Sequence, residues 1–392
     1  MNQSFILPVY KRLPVAFEYG KGVWLWDTEG KQYLDGMSGI AVTVLGHSHQ
    51  AVIEAITTQA QKLLHTSNGY CIPWQEKLAQ KLAQLSGMEQ AFFNHSGAEA
   101  NELGLKISRL YGHQKGINNP KILVMEGGFH GRTLGALSAS ANPKIQAGFE
   151  PLLPGFVRVP YNDAAAIERA IQENPDIVAV LLEPVQGNAG IIVPDFGYLQ
   201  KVRQICDRAS CLMMLDEVQT GIGHTGKMFA YQHENILPDV LCLAKALGNG
   251  IPIGACLVRG LATGLIKTGQ HGSTLGGNPF TSCVALTVLE TIEKENLLTQ
   301  ATEVGEYLLK RLYQKLISHP MVTSIRGKGL MIGVELDRPA LDLRLLGLEE
   351  GLLFNVTAQR VIRLLPPLVL TTAEADILIS RLVTCIDKFS QV

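Results

Sequence analysis

The run Cys211-Leu212-Met213-Met214-Leu215-Asp216-Glu217-Val218-Gln219-Thr220-Gly221 carries five apolar residues straight into two carboxylates and then a turn. A strand buried on both faces reads as such an unbroken apolar run, whereas a half-exposed strand alternates. Four stretches have the same form, at Ala91–Phe93, Ile122–Met125, Ile177–Leu182 and Val240–Leu243, with helical spacing between them. Short apolar runs alternating with helices predict an α/β fold on a mainly parallel sheet covered by helices. In such sheets ligands gather beyond the carboxyl ends of the strands, so the residues that follow each run are the first candidates for chemistry.

Those residues are Ser96-Gly97-Ala98-Glu99, Gly127-Gly128-Phe129-His130-Gly131-Arg132, Glu183-Pro184, Asp216-Glu217 and Ala244-Lys245. Ser96-Gly97-Ala98 precedes helical spacing at Leu103, Ile107 and Leu110. It reads as an ordinary N-cap or, with its free amides and positive dipole end, as a phosphate cup. His271-Gly272-Ser273-Thr274-Leu275-Gly276-Gly277-Asn278-Pro279 is a second hydroxyl-bearing glycine-rich loop, on its own a plain turn. Lys245, set in Leu241–Gly248, either snorkels to solvent or is an amine nucleophile with a depressed pKa. Asp216 at the end of an apolar strand requires a cationic partner, for which Lys245 and a protonated ring nitrogen are the candidates.

Outward from this centre, residues 15 to 45 read as extended, with Trp24 and Trp26 alternating with Val23 and Leu25 before the turn chemistry of Asp27-Thr28-Glu29-Gly30. After about residue 285 the pattern changes. Two long helices, at Val284–Glu295 and Glu303–Ile317, precede strands near Ser324–Glu335 and Arg360–Leu365, and a last helix opens on a capping box at Thr371 and Glu374. We therefore expect an N-terminal segment, 1–45, packing with a small α+β C-terminal domain, 286–392, around a large domain, 46–285.

Composition excludes several classes of function. Of 392 residues, 34 are Lys or Arg and 35 Asp or Glu, with no long run of either sign to attract a phosphate backbone or an anionic bilayer. No apolar stretch approaches the roughly 18 residues of a membrane span. Met1–Pro8 lacks the basic start of a secretory signal, so a cytoplasmic protein is expected. Seven cysteines, odd in number and without a C-x-x-C pair, fit buried reduced thiols. His47-Ser48-His49 has no further ligand at metal spacing, and no metal is expected. Gly221-Ile222-Gly223-His224-Thr225-Gly226 fits the dinucleotide fingerprint, but Lys227–Asp239 does not read as the helix that motif needs, and we take it as a glycine-rich turn.

An amine nucleophile, a buried acid, an aromatic followed by His at Phe129-His130 and two phosphate cups are together the parts that pyridoxal phosphate requires. In this order they resemble the class III pyridoxal-phosphate-dependent aminotransferases of fold type I. The resemblance runs from Gly22 to Leu368, through Ser96–Glu102, Phe129–Thr133, Glu183–Gly187, Asp216–Gly221 and Ala244–Gly248. It implies a mainly parallel seven-stranded central sheet and a homodimer with shared active sites. Lys245 is then the Schiff-base lysine and Asp216 the partner of the pyridinium nitrogen. Phe129 stacks on the ring and Gln219 meets its hydroxyl. Ser96, Gly97 and Ala98 cup the phosphate, joined by Thr274 from the partner subunit. Arg132 and Ser273 match positions that bind an acylated amino-acid substrate, and Arg363 the arginine that takes a substrate carboxylate.

Gly39-Ile40-Ala41-Val42 with Leu45-Gly46-His47 looks like the acetylornithine branch, and Trp24 stands where a tyrosine is expected in the ornithine branch. This implies transfer of the terminal amino group of N2-acetylornithine to 2-oxoglutarate in arginine biosynthesis. Ornithine, succinylornithine and 4-aminobutyrate are the alternative donors, and a catalytically idle cofactor-binding regulator is the alternative from another class. Three residues depart from the family pattern: His95 replaces Asn, His224 replaces Arg, and Asn188 stands where many members place a Glu that neutralises the carboxylate-binding arginine.

Overall fold

The computed structural model describes residues 5–391; Met1–Ser4, part of the opening read above, and Val392 lie outside the described residues. Three strands, β1 (Phe17–Lys21), β2 (Trp24–Asp27) and β3 (Gln32–Asp35), form the expected antiparallel hairpin region near the N-terminus. Its turn is held by Asp27, whose Oδ1 accepts the amides of Glu29 and Lys31.

Seven strands follow: β4 (Gln90–Asn94), β5 (Lys121–Met125), β6 (Phe156–Val159), β7 (Ile177–Leu182), β8 (Leu212–Asp216), β9 (Val240–Leu243) and β10 (Gly254–Val258). They make one sheet in the order β4-β10-β9-β8-β7-β5-β6. Every pairing is parallel except those of β10, which runs antiparallel to both neighbours. The seven-stranded, mainly parallel sheet of fold type I is therefore present.

The two-residue period of a strand sends alternate side chains to opposite faces. Ile122, Val124, Leu212, Met214, Val240 and Cys242 enter the core on one side, with Leu103 and Ile107 of the helix Gly97–Gln114. Leu123, Met125, Met213, Leu215, Leu241 and Leu243 enter the larger core on the other, with Leu199 and Val202 of the helix Tyr198–Ala209. Both faces are dry, which is why these strands read as unbroken apolar runs.

The C-terminal part contributes β11 (Val322–Lys328), β12 (Met331–Leu336), β13 (Leu352–Leu353), β14 (Asn355–Thr357) and β15 (Val361–Leu364). Four of them form a sheet in the order β11-β12-β15-β14, while β13 pairs in parallel with β3 and so joins the N-terminal sheet. The helix Thr372–Ser390 opens on the expected capping box, Thr371 Oγ1 accepting the amide of Glu374 and the Glu374 carboxylate accepting that of Thr371. The Gly221–Gly226 segment is a turn with no α-helix after it; only a short 3-10 helix, Ala230–Glu234, follows. Of the seven free cysteines Cys71 alone is exposed. Among the described residues no helix is long and apolar enough to cross a membrane.

Candidate active site

The carboxyl ends of β4, β5, β7, β8 and β9 converge on a cavity of about 430 Å³, within the range of sites for small ligands. Ser96, Gly97, Ala98, Phe129, Arg132, Asp216, Gln219 and Lys245 all line it, as do His95, Asn101, His130, Glu183 and Asn188. Eight of the eleven residues singled out for cofactor and substrate are thus brought together.

At one wall the helix Gly97–Gln114 begins. Ser96 caps it by accepting the Glu99 amide and donates its own hydroxyl to the Glu99 carboxylate. The amides of Gly97 and Ala98, in the first turn, donate to no group among the described residues. Such unpaired amides at the positive end of a helix suit an anion. Glycine is required at 97, since a Cβ there would lie 2.6 Å from Val218 Cγ1. His95, the first departure, faces Glu99, its Nδ1 3.1 Å from Oε1.

Opposite stands Asp216. Its parity along β8 is that of Leu212 and Met214, so its side chain leaves the sheet on the face covered by the helix Gly97–Gln114. There Asn101 Nδ2 donates to Oδ2 at 2.7 Å and His130 Nδ1 lies 2.8 Å from the same oxygen, while the Val218 amide donates to Oδ1. Of the two candidate cationic partners, Lys245 makes no ion pair with Asp216 among the described residues. His130, singled out with Phe129 for another reason, and Asn101 brace its Oδ2 instead; Asn101 was missed because it is far from 216 in sequence. Strand parity is the signal that could have found Asn101.

Lys245 follows β9 with φ of 46°, in the left-handed region that a residue with a Cβ enters only at a cost. Burial lowers its pKa to about 8, helped by the charge of Arg363 and opposed by Asp216 and Glu183. Lys245 lines the cavity, so of the two readings left open the one that snorkels to the surface does not hold. Glu183 is buried and its pKa is raised by that burial. It accepts the amides of Phe129 and Gly187, fixing the aromatic wall and the loop after β7.

Arg363, on β15, lies behind the cavity and is 3% exposed. Its Nη1 donates to Asn188 Oδ1 at 2.8 Å and to Gln219 Oε1 at 3.4 Å, and Nη2 donates to Asn355 Oδ1 at 3.3 Å. Its partners are neutral amide oxygens, and it forms no salt bridge among the described residues. Burial lowers its pKa to about 10, so it stays a cation at neutral pH. Arg132 stands at the mouth with its guanidinium 5.7 Å from the centre of the Phe129 ring.

Ser273 and Thr274 do not line this cavity. Ser273 Oγ accepts the Gly276 amide within its own turn, and Thr274 is exposed. Trp24 does not line it either: its indole nitrogen donates to Glu374 and its ring lies beneath Arg381. His224 is fully buried with neither ring nitrogen partnered, and burial lowers its pKa to about 3, leaving it neutral.

The donor set fits a phosphorylated heteroaromatic aldehyde. The free helix amides would suit a phosphate, the buried Asp216 carboxylate a ring nitrogen, Phe129 a flat ring and the Lys245 amine of lowered pKa a carbonyl.

The sequence profile described as Aminotransferase class-III matches residues 7–386. An acetylornithine aminotransferase of Nitrosomonas europaea is 50% identical over 386 residues, 98% of each chain. Among solved structures, an acetylornithine aminotransferase from Elizabethkingia anophelis is 36% identical with a TM-score of 0.88, over 98% of this chain and 96% of that one. An ornithine aminotransferase from Toxoplasma gondii, with partial occupancy of PLP at its active site, is 33% identical with a TM-score of 0.96, over 99% of this chain and 92% of that one. With a family match across nearly its whole length and the amine, acid and helix amides gathered in one cavity, this chain belongs to the class III aminotransferases.

Proposed function

We propose that this aminotransferase uses pyridoxal phosphate to move the terminal amino group of N2-acetylornithine to 2-oxoglutarate, giving N-acetylglutamate 5-semialdehyde and glutamate, a step of arginine biosynthesis. The observation that carries the reading is the Lys245 amine in the same cavity as the Asp216 carboxylate and the free amides of Gly97 and Ala98. Relatives named acetylornithine aminotransferase at 44 to 50% identity support the choice of donor.

When bound, pyridoxal phosphate supplies a carbonyl that condenses with amines and a ring that accepts an electron pair. Ser96, Gly97 and Ala98 hold its phosphate. Asp216, braced by His130 and Asn101, keeps a proton on the ring nitrogen, Phe129 supports the ring face and Gln219 contacts the ring hydroxyl. Lys245 would anchor the cofactor, and its amine, free of that bond, would be the base that holds the proton taken from the amino-bearing carbon of the substrate. Arg132 binds the acylated donor; Ser273, which does not line the cavity of its own chain, takes part only if it reaches over from the partner subunit with Thr274. Arg363 takes a carboxylate of 2-oxoglutarate, for which a planar guanidinium is the matching shape.

Thr274 is placed outside its own cavity, which supports a homodimer in which it reaches the partner's phosphate site. Six buried free thiols suit a reducing cytoplasm. We keep 1–45, 46–285 and 286–392 as working domains, supported by the separate sheets.

Two measurements test the reading. Borohydride reduction of cofactor-saturated protein followed by peptide mapping should mark Lys245, and an unmodified Lys245 overturns the cofactor assignment. A donor panel with 2-oxoglutarate should give N2-acetylornithine the highest kcat/KM; a higher value for ornithine, succinylornithine or 4-aminobutyrate reassigns the substrate.

A further inference from the structure

The loop after β7 lies between the seven-stranded sheet and the C-terminal sheet, and it is gripped from both. From the seven-stranded side Glu183 accepts the Gly187 amide, and Gln186 Nε2 donates to the Glu126 carbonyl. From the C-terminal sheet Arg326, on β11, reaches across. Its Nε donates to the carbonyls of Gly190 and Ile191, both at 3.1 Å, and its Nη2 donates to Gly190 at 2.7 Å. The remaining nitrogen, Nη1, donates to Glu335 at 2.6 Å and to Ser324 at 3.1 Å, so every nitrogen of the guanidinium is engaged. Thr357 Oγ1, on β14, adds a bond to the Asn188 carbonyl.

The gripped backbone is unusual. Gly190 has φ of 115° and Ile191 φ of 53°. A β-branched residue stays in the left-handed region only where its surroundings over-determine it. Two residues before Gly190 stands Asn188, whose side-chain oxygen accepts Nη1 of Arg363. The same short loop therefore carries the Arg326 contact and the Arg363 contact, and both arginines belong to the same sheet.

We infer that Arg326 is a positioning residue for substrate carboxylates: by fixing the carbonyls of Gly190 and Ile191 it holds Asn188 where it orients the Arg363 guanidinium. The inference rests on the reading of Arg363 as the carboxylate receptor. Arg326 does not line the cavity and has no part in proton transfer. Its loss should weaken the binding of 2-oxoglutarate and leave the chemistry of Lys245 intact.

The test uses holoenzyme carrying Arg326→Gln, Arg363→Gln, Asn188→Ala or Arg326→Gln with Asn188→Ala, and Arg360→Gln as a control. Arg360 bonds the outer oxygen of Glu335 without touching the loop. Glutarate, a dicarboxylate with no keto group, is titrated by the change in cofactor absorbance, and KM and kcat are measured for 2-oxoglutarate. Arg326→Gln should raise the glutarate Kd and the KM about five- to tenfold with kcat within about twofold, leaving the cofactor band unshifted. In the Asn188→Ala background the same change should add less than about twofold, because the two residues act through one loop. Arg360→Gln should match wild type.

If Arg363→Gln leaves glutarate binding intact, the receptor reading fails. If Arg363→Gln weakens binding while Arg326→Gln does not, or if the double variant is additive, or if Arg360→Gln has the same effect, the positioning role fails. Should Arg326→Gln not fold, Arg326→Lys decides: raised KM with retained kcat supports the role, and unchanged KM overturns it.

Discussion

His130 Nδ1 lies 2.8 Å from Asp216 Oδ2, and both side chains are buried. The imidazole and the Asn101 amide share one carboxylate oxygen, so the acid in the cavity is braced by the helix Gly97–Gln114 and by the loop after β5. Replacing His130 by Phe keeps the ring and removes the bond. A buried carboxylate that loses one of two side-chain partners should cost roughly 1–3 kcal/mol of stability in the cofactor-free protein. Urea unfolding measures it, and an unmoved midpoint would count against the brace.

Lys245 has its pKa lowered to about 8. The neutral form is then populated above about pH 8, and on the order of a tenth is already neutral at pH 7, against under about 0.1% for an ordinary lysine. The rate at which cofactor-free protein takes up pyridoxal phosphate should climb with pH and level off above about 8. Stopped-flow absorbance follows it; a climb that continues to pH 10 contradicts the lowered value.

Glu217 is buried beside Asp216, and burial raises its pKa to about 7, although Ala230 and Tyr231 amides and the Thr220 hydroxyl all donate to it. A carboxyl raised on folding contributes stability that is present below the unfolded value near 4.5 and lost as pH rises through about 7. Wild type minus Glu217→Gln should therefore show a stability difference that falls between these limits. Denaturation at stepped pH checks it, and a difference that grows with pH refutes it.

Asn188→Glu would bring a carboxylate to Arg363, where amide oxygens now stand. A neutralised guanidinium is a poorer receptor for dicarboxylates, so KM for 2-oxoglutarate and for glutamate should rise about tenfold while that for the acylated donor changes little. Half-reactions followed in both directions give these constants, and values equal to wild type in both would sink the idea.

Much of this architecture could be read from the amino-acid order because buried parallel strands announce themselves. Ile177–Leu182 has all six residues buried and matches its predicted bounds. β6 was less visible, since Arg158 interrupts Phe156–Val159 and reaches out to the Ser138 carbonyl. The cavity walls were legible for the same reason as the strands: each polar cluster directly follows an apolar run. What brings Asn101 and His130 onto Asp216 is packing of a helix and a loop over one strand end; strand parity tells which face Asp216 takes, but not that His130 meets it there. Nor does any local pattern relate Arg326 to a loop some 135 residues earlier.

The pairing of Leu352–Leu353 with Leu34–Asp35 has a consequence for biosynthesis. At translation speeds of about 5–20 residues per second, the ribosome needs roughly 16 to 60 s to travel from one of these segments to the other. For that interval the outer edge of the hairpin lies uncovered on the nascent chain, open to stray strand pairing. The layer closes only after Leu353 has been made, so this corner of the protein matures long after the hairpin it completes.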